Sequence, residues 1–255
     1  MFAEERHRQI STLVRTDGRV SVTDLSERFS ITAETVRRDL ALLEKDGVLR
    51  RVHGGAVARD AASTRESSIE SRQSQYRAEK QRIAKAALDM VPSTGSVILD
   101  AGTTTGALAA LLAAESRTDL TVITHSVPIA HLISGSSVHL ELIGGRVRAL
   151  TSAGVGSSAV AAFSRLRADV AFIGANGVAE HFGLSTPDTD EAAVKTAIVR
   201  SARRVVLLAD SSKFGEESLV SFASLEEIDA VVTDSTPGGA LAAALARAQV
   251  EVVSA

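Results

Sequence analysis

From residue 97 to its end the chain repeats one unit: a short apolar run, a loop of small or hydroxylated residues, then a helix. Apolar runs at 97–100, 120–124, 138–143, 170–173, 205–209, 230–233 and 250–253 predict strands. The stretches 106–114, 127–133, 157–166, 191–203 and 240–249 predict helices. Most of these runs are apolar along much of their length, as strands buried on both faces are. Such strands alternating with helices imply a mainly parallel sheet covered on both sides, an α/β fold. In sheets of this kind ligands sit outside the carboxyl ends of the strands.

The loops expected at those ends share a chemistry. After Asp100 come Gly102, Thr103, Thr104, Thr105 and Gly106, leading into a helix. The glycines let backbone approach an anion, the threonines offer hydroxyls, and the helix start offers N–H groups and a favourable dipole. The stretch lacks the lysine of a phosphate-binding P-loop and the third glycine of a dinucleotide fingerprint, so by itself it also fits a plain Gly/Thr turn. The other ends carry Thr124, His125 and Ser126; Gly144, Gly145 and Arg146; Gly174, Ala175, Asn176 and Gly177; and Asp210, Ser211, Ser212 and Lys213. Glu191 and Lys195 stand four apart on a helix, a spacing that by itself predicts a surface ion pair. His125 and His131 lack a metal-ligand spacing and no carboxylate completes a set, so no metal is expected. A catalytic triad of Ser126, His125 and Asp100 lacks a nucleophile elbow, and neighbouring side chains on a strand end point apart.

The first 57 residues have a different pattern. A helix over 3–15 places Ile10, Leu13 and Val14 on one side, closed by Asp17 and Gly18. Ser21 to Asp24 resembles a capping box opening a short helix with Val22, Leu25 and Phe29 inward. After a tight joint at Ser30 and Ile31, Thr32 caps a second helix that runs to Gly47, with Val36, Leu40 and Leu43 on its packed face. Two short capped helices joined tightly form a helix-turn-helix, whose second helix lies in the major groove of double-stranded DNA. Thr32, Ala33, Glu34, Thr35, Arg37 and Arg38 then lie at the reading end, where an arginine can fork onto guanine or clamp a phosphate. The segment that follows, ending in Gly54 and Gly55, reads as a β wing whose Arg50, Arg51 and His53 contact phosphates. Residues 58–75, rich in Ser, Ala and charge, read as a linker. A helix from Tyr76, with Ile83, Ala87 and Met90 on one side, opens a second domain over 76–255.

Composition bounds the function. There is no cysteine among the 255 residues, which removes disulfides, thiolate catalysis and cysteine-bound zinc together. No apolar run approaches the ~20 residues of a membrane span, and the charged N-terminus lacks a signal-peptide core, so a cytoplasmic location and no membrane partner are expected. Residues 1–57 hold ten Lys/Arg against nine Asp/Glu, and the remainder 18 against 22. Nucleic-acid contact is therefore expected at the N-terminal end.

VSVTDLSERFSITAETVRRDLALLEKDGVLRRVHGGA resembles the winged helix of the DeoR family of bacterial transcriptional regulators. The order DAGTTTGALA, TVITHSVPIA, LIGGRVR, AFIGANGV, GLSTPDTDEAAVKTAIV and VVLLADSSKFG is similar to that family's sugar-phosphate sensor domain. The resemblance implies a homo-oligomeric repressor of carbohydrate-metabolism genes that leaves its operator when a phosphorylated sugar or related metabolite binds, without a cofactor. It also brings Glu191 and Lys195, as part of EAAVK, into the effector site.

The sensor domain is in turn related to ribose-5-phosphate isomerases, which gives a rival reading: an isomerase-like enzyme fused to a DNA-binding module. Asn176 stands where the isomerase-like loop carries an acid, and no lysine occurs between Gly183 and Asp188. Proton transfer from a sugar carbon therefore lacks its base, and no catalytic residue is expected. Lys213 suits phosphate as a point charge, and Asp100 suits sugar hydroxyls as an acceptor. His125 stands where the family commonly has an amide side chain.

Overall fold

The computed structural model describes residues 3–46, 48–52, 54–58, 63–64 and 66–255. Two compact units make up the chain, Met1–Arg77 and Ala78–Ala255.

The first unit contains α1 (Ala3–Asp17), β1 (Arg19–Ser21), α2 (Val22–Phe29), α3 (Ala33–Lys45), β2 (Leu49–Val52), β3 (Gly55–Ala58) and α4 (Ile69–Ser74). Ser21 caps α2 by accepting from the Asp24 N–H, and the chain leaves that helix through Ser30 in the left-handed conformation, φ 52°. This is the tight joint of a helix-turn-helix. Ile10, Val14, Leu25, Phe29, Val36, Leu40, Leu43 and Leu49 close one core, so the apolar stripes read from the sequence all face inward. The wing is an antiparallel sheet in the order β1-β3-β2, with Arg50 opposite Val57 and Arg51 opposite Ala56. Strand β1 has no apolar run to announce it. It exists because Arg19 to Ser21 pair with Val57 to Gly55.

Gly47, expected to stop α3, lies outside the described residues, and so does His53 of the wing. Within the stretch read as a linker, α4 is capped by Ser68 and buries Ile69. Just after it, Tyr76 is buried and its hydroxyl donates to the carbonyl of Val20 at 3.3 Å.

The second unit follows as α5 (Arg77–Leu88), β4 (Gly95–Leu99), α6 (Thr103–Ala113), β5 (Leu120–Thr124), α7 (Val127–Ile133), β6 (His139–Leu142), β7 (Arg146–Arg148), β8 (Ala153–Val155), α8 (Ser157–Phe163), β9 (Ala168–Ile173), β10 (Gly177–Ala179), β11 (Gly183–Thr186), α9 (Thr189–Arg200), β12 (Ala202–Leu208), β13 (Val220–Ala223), β14 (Ala230–Thr233), α10 (Gly239–Arg247) and β15 (Glu251–Ser254). Seven strands form a parallel sheet in the order β15-β14-β12-β9-β4-β5-β6. Alternate residues feed two cores. Val97, Leu99 and Phe172 join Ile83 of α5, Leu108 and Leu112 of α6 and Ile129 of α7 on one side. Ile98, Ala171 and Ile173 join Phe163 of α8, Val194 and Ile198 of α9 and Leu241 of α10 on the other. This is the doubly covered sheet that apolar strands predict.

Strand order reverses at β4: the chain proceeds to β5 and β6 on one side, then returns to β9 and β12 on the other. The carboxyl end of β4, where Asp100 follows Leu99, is therefore the switch point at which open α/β sheets form their crevice. Short antiparallel strands surround that end: the β7–β8 hairpin and a β10-β11-β13 sheet.

Candidate functional site

The geometry of the crevice is set by Asp100, whose side chain has no exposed surface. One oxygen, Oδ2, accepts from Nζ of Lys195 and from the N–H of Gly174 at 3.0 Å. The other, Oδ1, lies 3.1 Å from His125 Nε2. Lys195 reaches in from α9, donates also to the carbonyl of Gly174 at 2.9 Å, and lies 5.4 Å from the ring centre of Phe222. Burial pushes the Asp100 carboxyl up, but the Lys195 charge and the His125 contact outweigh it and bring it down to about 2. Asp100 is thus an ionised carboxylate held inside the protein by its own counter-charge.

His125 is fixed at both ring nitrogens. Nδ1 lies 2.8 Å from the carbonyl of Gly154, which can only accept, so Nδ1 carries a hydrogen. Nε2 meets the Ala101 N–H at 3.1 Å as well as Asp100. As a neutral ring, Nε2 accepts from Ala101; as a cation, it donates to Asp100. The ring stacks edge-on against Phe163, centroids 5.7 Å apart.

Several residues expected to touch a ligand have partners within the protein that hold the crevice together. Helix α6 begins at Thr103, three residues earlier than read, because Gly102 serves as its N-cap in an extended conformation. The Thr105 hydroxyl turns back onto the carbonyls of Asp100 at 2.7 Å and Gly102 at 3.1 Å. The Thr124 hydroxyl donates to the carbonyl of Leu99 at 2.7 Å, and Ser126 caps α7 through the Ile129 N–H. Ser126 therefore makes no triad with His125. Gly177 is a close-packing position, where a Cβ would lie 2.2 Å from the carbonyl oxygen of Glu216. Asp210 accepts from the backbone and hydroxyl of Ser212, capping the short 3₁₀ turn that carries Lys213. Asp100, read as an acceptor for sugar hydroxyls, likewise has its oxygens engaged and covered.

Glu191 and Lys195 also depart from the surface pair that their spacing predicts. Both are buried and point to different partners: Lys195 to Asp100, Glu191 to the Thr151 hydroxyl and to Arg148 Nη1 at 3.3 Å. Arg148 reaches Asp188 at 3.0 Å, and Asp188 caps α9 by accepting from the Glu191 N–H at 2.9 Å. Arg146 pairs with Asp190 on the exposed side. The β7–β8 hairpin is thereby tied to the start of α9 by Arg146, Arg148 and Thr151. Arg148, Thr151, Asp188 and Gly154 were not singled out from the sequence. Only Asp188 left a signal there, as the first residue of a D-x-x-E cap.

Gly102, Thr103, Gly106, Gly144, Gly145 and Asn176 keep some exposure at the strand ends. Gly102 offers no capping oxygen, so the first-turn N–H groups of α6 have no side-chain acceptor among the described residues. That is an arrangement suited to an anion.

In the first unit, Thr32 caps α3 by accepting from the Thr35 N–H at 3.2 Å. The side chains of Arg37 and Arg38 are 61% and 77% exposed, and Glu34 lies 3.9 Å from Arg37 and 3.4 Å from Arg38. Such surface pairs are worth about 0–1 kcal/mol, so the arginines are aligned yet readily given up to another acceptor. Arg50 is exposed on β2. The Arg51 N–H donates to Glu44 Oε1 at 2.7 Å, joining β2 to α3.

Behind the reading face, buried Asp39 of α3 accepts from Arg6 of α1 at 2.6 and 3.0 Å and lies 2.7 Å from His7 Nε2. Burial raises the Asp39 carboxyl, while the Arg6 and His7 hydrogen bonds bring it, on balance, below the usual carboxylate value.

An exposed arginine helix beside a wing, and an α/β unit with a cationic and hydroxylated crevice, define a DNA-binding regulator with a sensor. The chain belongs to the DeoR family: residues 6–62 match the DeoR-like helix-turn-helix domain and residues 75–235 the DeoR C-terminal sensor domain. It is 38% identical over 237 residues to the HTH-type transcriptional regulator GlpR of Haloferax volcanii, covering 92% of this chain and 91% of that one. It is 32% identical over 238 residues to the glycerol-3-phosphate regulon repressor of Escherichia coli, covering 93% of each. Ribose 5-phosphate isomerase A of Methanocaldococcus jannaschii is a distant likeness in fold alone, 19% identical over 55% of each chain with TM-score 0.42. The chain is a transcriptional regulator, and its family and relatives support that reading over the isomerase-like enzyme.

Proposed function

We propose that a phosphorylated sugar or related metabolite binds at the strand ends of the second unit and releases the protein from an operator held by α3 and the wing. The observation that carries this is the uncapped N-terminus of α6 at the switch point, beside the Asp100–Lys195–His125 cluster. The α6 N–H groups and Lys213 take the phosphate, while Gly144, Gly145 and Asn176 line the sugar end. Asp100, His125, Lys195 and Glu191 hold these loops in place from behind. The protein acts in the cytoplasm as a homo-oligomer, since operators with two half-sites require two readers. If the metabolite favours an arrangement that fits the operator poorly, it weakens DNA binding by the same factor by which DNA weakens metabolite binding.

The test begins with a thermal-shift screen of phosphorylated sugars, where a ligand at 100 times its dissociation constant adds about 2.7 kcal/mol. Operator titration with and without the hit then follows. Lys213→Ala is expected to bind operator like the parent and to need at least about tenfold more metabolite for release, as loss of a charged phosphate contact implies. Release at the parental concentration would remove Lys213 from the site, and no effect of any hit on the parent would end the sensor reading.

For the DNA side, Arg37→Ala and Arg38→Ala are each expected to cost about 1–3 kcal/mol of operator affinity at fixed salt. Unchanged binding by both would place the reading surface elsewhere.

A further inference from the structure

Strand β6 is the outer strand of the seven-stranded sheet, and its sequence, His139-Leu140-Glu141-Leu142, is exposed at three of four positions. The Ile143 N–H points inward, donating to the carbonyl of Thr124 on β5 at 2.8 Å. Backbone groups alternate sides along a strand. Those of His139 and Glu141 therefore also face β5, while the N–H and C=O of Leu140 and Leu142 face outward. Among the described residues no strand pairs with that outer side. The side chains alternate as well. Val138 and Leu140 lie on the face of the α6–α7 core, Leu142 shares it with 49% of its surface exposed, and His139 and Glu141 lie on the opposite face. An open edge with an exposed leucine and no proline invites a partner strand.

We propose that this edge pairs antiparallel with β6 of a second copy of the chain, about a two-fold axis through Leu140. The inference rests on the homo-oligomer reading above and assigns its surface. Hydrogen bonding and charge narrow the register, and the side-chain pairs favour the axis through Leu140. An axis between residues would set outward groups against inward ones, so no ladder could form. An axis through Glu141 would place two carboxylates face to face, which is destabilising. An axis through Leu140 sets Leu140 against Leu140 as a hydrogen-bonded pair and Leu142 against Val138, all on one apolar face. It also sets His139 against Glu141 twice, in the non-hydrogen-bonded pairs where side chains come closest, Cα atoms about 4.5 Å apart. The strand is thus complementary to itself in the imidazole–carboxylate pairs, in shape and in backbone hydrogen bonding, as an isologous interface requires.

The chain contains no cysteine, which gives a clean test in the full-length protein. Leu140→Cys puts two thiols across the axis with Cα atoms about 5.5 Å apart, within disulfide range, so mild oxidation is expected to yield a covalent dimer. Leu142→Cys is expected to give none, because its counterpart lies four residues, about 14 Å, along the partner strand. His139→Glu sets carboxylate against carboxylate in both pairs and is expected to raise the dimer dissociation constant about tenfold in sedimentation equilibrium, and adding Glu141→Lys restores it. Parent protein that sediments as a monomer overturns both this seam and the homo-oligomer reading. A parental dimer in which Leu140→Cys does not cross-link, or in which His139→Glu is silent, overturns the seam and leaves the oligomer standing.

Discussion

Replacing Lys195 with alanine is expected to destabilise the second unit by about 3–5 kcal/mol, since it leaves a buried carboxylate without its counter-charge. Asp100 has no exposed surface, and the Gly174 N–H and His125 cannot supply the missing charge in full while the ring is neutral. Asp100→Ala should cost a similar amount by stranding the ammonium. Removing both charges together, as Asp100→Asn with Lys195→Met, should recover most of the loss, because replacing a buried ion pair by neutral groups of similar size is often near neutral. Urea unfolding followed by circular dichroism gives the comparison. Single changes that shift the midpoint no more than the double change would show that the pair does not support the fold.

The same pair fixes a pH dependence. The Asp100 carboxyl is lowered in the folded state to about 2, whereas an unfolded aspartate titrates near 4. Its stabilisation is whole above the unfolded value and disappears as pH falls through the folded one, so the parent should lose more stability between about pH 4 and 2 than the neutral double variant.

A second large effect is expected in the DNA-binding unit. Asp39→Ala should cost about 3–5 kcal/mol, because Arg6 then remains largely buried with no carboxylate to receive it. Asp39 touches no surface available to DNA, being 5% exposed, yet operator binding should fall with it. The loss should appear as a smaller fraction of competent protein on warming, with base preference unchanged. Arg6→Met added to Asp39→Leu should restore folding. A stable Asp39→Ala protein that binds operator normally would show that the α1–α3 clamp is dispensable.

These clusters also show why the sequence disclosed some features and not others. Most strands of the main sheet were legible because they are largely apolar runs, and α2 because Ser21 to Asp24 reads as its cap. The strands β7, β8, β10, β11 and β13 are only three or four residues long and exist through pairing, β13 with β11 far back in the chain, so no local period marks them. Helix α4 is too short to show a period around its one buried residue, Ile69. Within the crevice, residue types were legible but their tasks were not. Asp100 and Lys195 are 95 positions apart, and nothing local tells a carboxylate that meets a ligand from one that meets a lysine. The Asp39 clamp was hidden likewise, since Arg6 and His7 read as part of a charged, solvated helix.

The bond from the Arg51 N–H to Glu44 has a mechanical meaning. It bolts the wing to the recognition helix, so the two travel as one stiff tool, and the antiparallel wing sheet leaves little room to bend one against the other. Under the proposed release mechanism, a signal then decides whether the tool is offered to DNA. It has no lever on the shape of the tool itself. On that proposal, choice of sequence is insulated from choice of moment, so a change of metabolite need not change the operator that is read.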